Sequence, residues 1–363
     1  MKEGDFLMRV FHKVMSTILA TALLAAALTA CGGTAAQTPP PNTQAPAAAP
    51  GDSGEARTYY LCSSHQAHPY FADSHIGLRY AAEHFQVNIV AAGPEGWDTT
   101  EQAEAIEQAI AKQPAGIISR MWDDSPAEAI KKAMGAGIPV VLTETKTDKN
   151  PGLAYIGLDN QQCGSDTAAE LIKRAGDSGK LAVMGNWGAA NTDAKLAGLK
   201  EYLADYPGWE IVVEADDAAD TATAIDTAKN VLNNYQVDAI VGLDSSSGTG
   251  VSMAMEELNR EPGSIKVIVH DREASTLEYI KAGYIDATLI NKTAAQEYLA
   301  ILLMEDWNNG GIKNVPISSD NAAAGVNPLP ENMYNTAAVI DAGNVEYFFA
   351  EALPTIDTKL YNY

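Results

Sequence analysis

The sequence predicts an α/β chain of two doubly wound, parallel-sheet lobes joined by three crossings of the chain that form a hinge. From Thr58 onward, short runs rich in Val and Ile alternate with helical patterns: TYYLC, VNIVAA, AGIIS, IPVVLT, LAVMG, WEIVVE, DAIVGL, IKVIV and DATLI. Their apolarity is continuous rather than alternating, as parallel strands covered on both faces require. Between them the period becomes helical: Ala103, Ile106 and Ile110 share one face, and Ile225, Ala228 and Leu232 share another. The roughly 300 residues that carry this pattern exceed what one core or one open sheet holds comfortably.

The elements follow in order. Lys2, Arg9 and Lys13 precede an apolar run, Val14 to Ala30, that ends in Leu28-Thr29-Ala30-Cys31. A basic head, a short apolar stretch and small residues before a cut make a secretory signal over residues 1–30. The run falls short of the about 20 apolar residues a membrane span needs. Leu-Thr-Ala-Cys resembles the bacterial lipobox, which implies acylation of Cys31. Met8 makes a cleaner start than Met1, because it drops Glu3 and Asp5 from the basic head. Residues 31–56 are rich in Pro and Ala and hold almost nothing to bury, so they read as an extended tether reaching about 70 Å.

Residues 57–158 with 292–335 are assigned to an N-terminal lobe, and 159–291 with 336–363 to a C-terminal lobe. The crossings fall where LAYIGLDN runs from a strand into a new helix, at Asn291-Lys292-Thr293, and near Asn335 to Asp341. Ser125-Pro126-Ala127-Glu128 reads as a capping box with Pro at the first helical position, and Thr99 with Gln102 as another.

Composition excludes several classes. Lys and Arg number 24 against 47 Asp and Glu, a formal charge of −23, which argues against nucleic acid and anionic headgroups as partners. Beyond Cys31 there are Cys62 and Cys163, with no CxxC or Cys/His cluster, so neither zinc nor a disulfide framework is indicated. No GxSxG, Walker loop or HExxH occurs, and Asp306 to Gly310 lacks most of a calcium loop, so neither an enzyme nor a metal or other cofactor is expected.

Ligands of open parallel sheets bind at the carboxyl ends of the strands. TYYLC empties into SSHQAHPYF, with His68, Tyr70 and Phe71; AGIIS into Arg120, Trp122 and Asp123; IPVVL into Glu144 and Thr145. LAVMG is followed by Asn186, Trp187 and Asn191, DAIVGL by Asp244 and Ser245, IKVIV by His270 and Asp271, and DATLI by Asn291. Aromatic faces beside carboxylates and amides suit a sugar, whose C–H faces lie on rings while vicinal hydroxyls are held by planar acceptors. Each residue also has a plain structural alternative. Tyr70 and Phe71 could fill the core of the first helix, Trp122 could cover a helix end, and Asn191 and Asp271 could cap helices. His65 and Asp123 read as surface.

SSHQAHPYF, AGIPVVLTE, YIGLDNQQCG, AIVGLDS and HDREAS, in this order and spacing, resemble the type I solute-binding proteins of bacterial sugar ABC transporters. The likeness covers Tyr59 to Gly311 and implies a bilobal protein that closes on a monosaccharide and delivers it to a permease. It implies ligand contacts for His68, Tyr70, Phe71, Glu144, Asp244, Asp271 and Asn291. Ribose-type members carry arginines where this chain has Thr145 and Asp193; galactose-type spacing points to Asn191 and Lys195 instead. The stacking aromatic of the second lobe has no counterpart near Ala218-Ala219, and Arg120 and Trp122 are candidate substitutes. The expectation is an extracytoplasmic monomer, lipid-anchored to the cell membrane, that binds a monosaccharide or polyol at His68, Tyr70, Phe71, Trp122, Glu144, Asn191, Asp244, Asp271 and Asn291. The alternative is a sensor of the same fold that presents a sugar-like signal to a membrane receptor.

Overall fold

The computed structural model describes residues 56–349. The signal, Cys31, most of the tether and residues 350–363 of the assigned C-terminal lobe lie outside the described residues.

Each continuously apolar run lies in one of two six-stranded sheets. The first holds β1 (Thr58–Cys62), β2 (Asn88–Ala92), β3 (Gly116–Ser119), β4 (Val140–Glu144), β5 (Ala154–Leu158) and β11 (Asn332–Asn335), in the order β11-β5-β4-β3-β1-β2. The second holds β6 (Ser178–Gly185), β7 (Gly208–Asp216), β8 (Ala239–Gly242), β9 (Lys266–His270), β10 (Ala287–Ile290) and β12 (Ala338–Ile340), in the order β12-β10-β9-β8-β6-β7. The second order repeats the first strand for strand. All pairings are parallel except β10 with β12. No strand signal in the sequence marks β11 or β12, whose NMYN and AVI are short edge segments.

Helices cover both faces of each sheet: α1 (Ala72–Phe85), α2 (Thr99–Ile110), α3 (Ala127–Gly135) and α9 (Thr293–Asn308) on the first; α4 (Asn160–Ala175), α5 (Ala190–Leu203), α6 (Thr221–Asn234), α7 (Ser245–Glu257) and α8 (Ala274–Ala282) on the second. Successive strand residues therefore enter different cores. Tyr59 and Leu61 pack beneath α1 and α9, while Cys62, Val140 and Leu142 pack beneath α2 and α3. In the second sheet Val267 and Val269 face α7, and Leu181 and Val183 face α4 and α5. The chain crosses between sheets at β5 to α4, β10 to α9, and β11 to β12.

Both expected capping boxes are displaced. Asp98, one residue earlier than Thr99, caps α2 by accepting from Thr100 N (2.8 Å) and Glu101 N (2.9 Å). Gln102 is buried instead, with its amide donating to the carbonyls of Cys62 and Arg120 and to Ser119 Oγ. Pro126 is the N-cap of α3 and offers no side-chain acceptor, and the Ser125 N–H, which Glu128 would have accepted in the box, goes to Asp123 Oδ1 (2.8 Å). At the α1–α9 contact a Cβ on Gly77 would lie 2.0 Å from Ala294 O, so only glycine allows this approach.

Candidate functional site

In each sheet the strand order reverses beside the first strand, between β1 and β3 and between β6 and β8. Helices leave to opposite faces there and open a crevice at the carboxyl ends. The two crevices contribute to one cavity of about 110 Å³, measured as room for the centres of water molecules. One water needs about 10–15 Å³ by that measure, so the space suits a ligand the size of several waters rather than a dinucleotide.

The first sheet supplies a mostly aromatic wall. His68 and Tyr70 follow β1, Trp97 follows β2 and Trp122 follows β3. Trp97 and Trp122 meet edge to face with centroids 5.4 Å apart, and His68 lies 5.9 Å from Trp97. His68 Nδ1 accepts from the Tyr70 N–H (3.2 Å), which leaves Nε2 to donate. Burial, then the neighbouring His65, holds the His68 pKa below its ordinary value, although Asp244 pulls the other way.

The second sheet supplies acceptors and one cation. Asn186, Asn191 and Lys195 follow β6, Asp244 follows β8 and Asp271 follows β9. Asp244 caps α7 through Oδ1, which accepts from Ser246 N (2.8 Å) and Ser247 N (3.2 Å), while its buried Oδ2 receives no N–H or hydroxyl donor and its carboxyl pairs with that of Asp217. Asn191 lies within α5, whose N-cap is Ala189, and its Oδ1 is also unpartnered. Asp271 is not a cap either: Glu273 holds that position for α8. The Asp271 backbone is left-handed (φ 71°), the residue is 8% exposed, and, while its carbonyl accepts from Thr288 Oγ1 (2.6 Å), no described residue donates a hydrogen bond to its carboxylate. Lys195 Nζ is engaged with Leu243 O (3.1 Å). On the aromatic side Trp122 Nε1 is buried without a partner. A buried polar group left unpaired costs about 1–3 kcal/mol, so these atoms favour a ligand that donates to the second sheet and accepts from the first.

Three expected contacts stand back from this cavity. Phe71 is 1% exposed and forms the layer behind the wall, between the Trp122 ring (6.4 Å) and the Arg120 guanidinium (4.2 Å from the Phe71 ring centre). Glu144 ends β4 and Asn291 follows β10, farther from the strand-order reversals, and they hydrogen bond each other beside Tyr70; Asn291 lines a second cavity that shares Tyr70 and Asp271 with this one. Arg120, a candidate substitute contact, is wholly buried, donating to Ser63 Oγ (2.9 Å), Ser74 Oγ (2.7 Å) and Glu297 Oε1 (2.7 Å). The sequence reading missed Trp97 as a wall residue. Its signal was available, because AAGPEGW continues directly from β2.

Desolvation raises two carboxyls of the second sheet, Asp217 and Asp271. Asp217, buried beside Asp244, is pushed up to about 9, first by burial and then by that neighbour. Asp271 is pushed up to about 7 by burial, with Glu144, Asp244 and Asp73 adding to the rise and Lys195 opposing it. Above the ordinary carboxylate range, near pH 4, the folded chain therefore holds protons that the unfolded chain has released. Stability must fall as pH rises through about 7 for Asp271 and about 9 for Asp217. Between about pH 5 and 8 His65, His68, His75 and His270, held below their ordinary values, act in the opposite sense, so the carboxyl contribution is read as a difference: the urea midpoint of Asp217→Asn should fall less, or rise more, with pH than that of the wild type. Parallel pH profiles of the two proteins would contradict this assignment. Cys62 and Cys163 are pushed up to about 12 and about 11, mainly by burial, which makes them unreactive thiols. Among the described residues no His, Cys, Asp or Glu group is arranged to hold a metal.

Residues 59–311 match the family described as the periplasmic binding protein domain. The xylose/arabinose-binding protein of Sulfolobus acidocaldarius is 22% identical over 250 residues, 64% of this chain; the chain spans 62% of that protein's length. An arabinose-binding protein from Geobacillus stearothermophilus is 27% identical, with a TM-score of 0.71 over 82% of this chain and 100% of its own. A sugar-binding protein of a Bacillus halodurans sugar ABC transporter is 26% identical, with a TM-score of 0.73 over 81% of this chain and 100% of its own. With two parallel sheets in matching order, a cavity at their carboxyl ends and this match over most of its length, the chain belongs to the periplasmic binding protein family, whose members bind solutes rather than convert them.

Proposed function

We propose that this protein captures a monosaccharide or related polyol between its two lobes, outside the cytoplasm, and delivers it to an ABC transporter permease. One observation carries the reading: a small cavity in which flat rings from one sheet face buried, unpartnered oxygen acceptors from the other. Rings pack on sugar C–H faces and carboxylates hold vicinal hydroxyls. The pentose- and sugar-binding relatives support the same class of ligand. The lobes close as bodies about the three crossings. Two contacts join the lobes across the cleft: Arg272 to Asp73 (2.9 and 2.5 Å) and Ala190 N to Trp122 O (3.4 Å). Cys31 at the end of the signal anchors the protein by lipid.

D-ribose, D-xylose, L-arabinose, D-galactose and D-glucose should be screened by thermal shift, and any binder followed by solution scattering. At least one should raise the melting temperature and lower the radius of gyration, since a ligand touching both lobes favours the closed state. No shift with any of them would overturn the sugar reading, and binding at constant radius would overturn closure. Cys31→Ser should move the protein from the membrane to the soluble fraction with sugar affinity unchanged; retention on the membrane would overturn the anchor.

A further inference from the structure

Glu144 ends β4 and Asp271 directly follows β9, its equivalent in the second sheet, and both have left-handed backbones, at φ 65° and φ 71°. A non-glycine residue holds that conformation only where its surroundings impose it, and such strain clusters at working sites. Asp271 meets the cavity; Glu144, one methylene longer, does not.

The surroundings of Glu144 show what its conformation serves. Its Oε2 accepts from the hydroxyl of Tyr70, which lines the cavity, and from Asn291 Nδ2 (3.0 Å), which begins the crossing from β10 to α9. Its backbone N–H donates to Gln296 Oε1 (3.1 Å), and the other end of that amide donates to Asn291 Oδ1. The Tyr155 hydroxyl lies 2.9 Å from Glu144 O and 3.0 Å from Leu158 O, the last strand residue before the first crossing. One buried carboxylate thus joins a cavity-lining ring to one crossing, and its carbonyl reaches the edge of another.

We infer that Glu144 is a positioning residue that ties Tyr70 to the crossing segment at Asn291, so that the state of the cleft is transmitted to the hinge. The inference rests on the cleft being the ligand site, but its test needs no ligand. Both side-chain bonds fall on a single oxygen, so Glu144→Gln keeps them and Glu144→Ala loses them.

Hydrogen exchange by mass spectrometry on the ligand-free protein separates the possibilities. Glu144→Ala should speed exchange in the segment 290–296 by roughly tenfold while the strands of the second sheet stay at the wild-type rate. Glu144→Gln should stay near wild type. Tyr70→Phe, which cuts the tie at its cleft end, should loosen the same segment. Unchanged exchange there in Glu144→Ala or Tyr70→Phe would overturn the inference, as would faster exchange spread evenly over both sheets, which marks a merely structural role. Failure of the sugar screen would overturn the ligand reading and leave this result standing.

Discussion

Replacing Asp271 by alanine should weaken sugar binding by roughly a hundredfold or more. The residue is 8% exposed and lines the cavity, and its carboxylate receives no hydrogen bond from a described residue. Hydroxyl donors from a sugar would make charge-assisted bonds worth about 1.5–3 kcal/mol each, and every 1.4 kcal/mol is about tenfold in affinity. The alternative, that Asp271 caps α8, is disfavoured because Glu273 occupies the cap position. Alanine tolerates the left-handed backbone poorly, so Asp271→Asn is the control that keeps the conformation and removes the charge. Calorimetry with the strongest binder of the sugar screen reads affinity, and urea unfolding reads stability. Unchanged affinity in both variants would place the ligand elsewhere.

The largest loss of stability is expected from Glu297→Ala. Glu297 and Arg120 form an ion pair of 2.7 Å between side chains with no exposure. Taking away the anion leaves a guanidinium in the core, and breaking a buried pair in this way costs about 3–5 kcal/mol. Thr143 Oγ1 loses its acceptor (3.1 Å) as well. The double variant Arg120→Met with Glu297→Leu should recover much of the loss, because replacing a whole buried pair by apolar groups is often neutral. Urea unfolding measures both; a loss below about 1 kcal/mol in Glu297→Ala would show that water reaches the guanidinium.

The two variants also mark where sequence reading reached and where it stopped. Asp271 was legible as a cavity residue because it directly follows a continuously apolar run, and the crevices of open parallel sheets lie at such strand ends. Arg120 stands in the same kind of position after β3 and turned away from the cavity, toward Glu297, 177 residues on. Phe71 followed Arg120 into the layer behind the wall. Trp97 went unread at a strand end whose signal matched the others. No local pattern distinguishes a strand-end residue that faces a ligand from one that supports its neighbour. The choice depends on what α9 brings back from the far end of the chain.

By itself the sequence determined the strands of both sheets apart from β11 and β12, the periodic helices between them, and the strand ends at which the cavity-lining groups stand. Those features depend on apolar period and on the direction of the chain, which are local. Only the tertiary structure decided which strand-end residues meet: strand order sets the crevices between β1 and β3 and between β6 and β8, and these bring Trp122 and Asp244 to one cavity. It also decided that Glu144 and Asn291, one in each sheet, bond to each other beside Tyr70, since that contact spans 147 residues and arises from how the two sheets pack together.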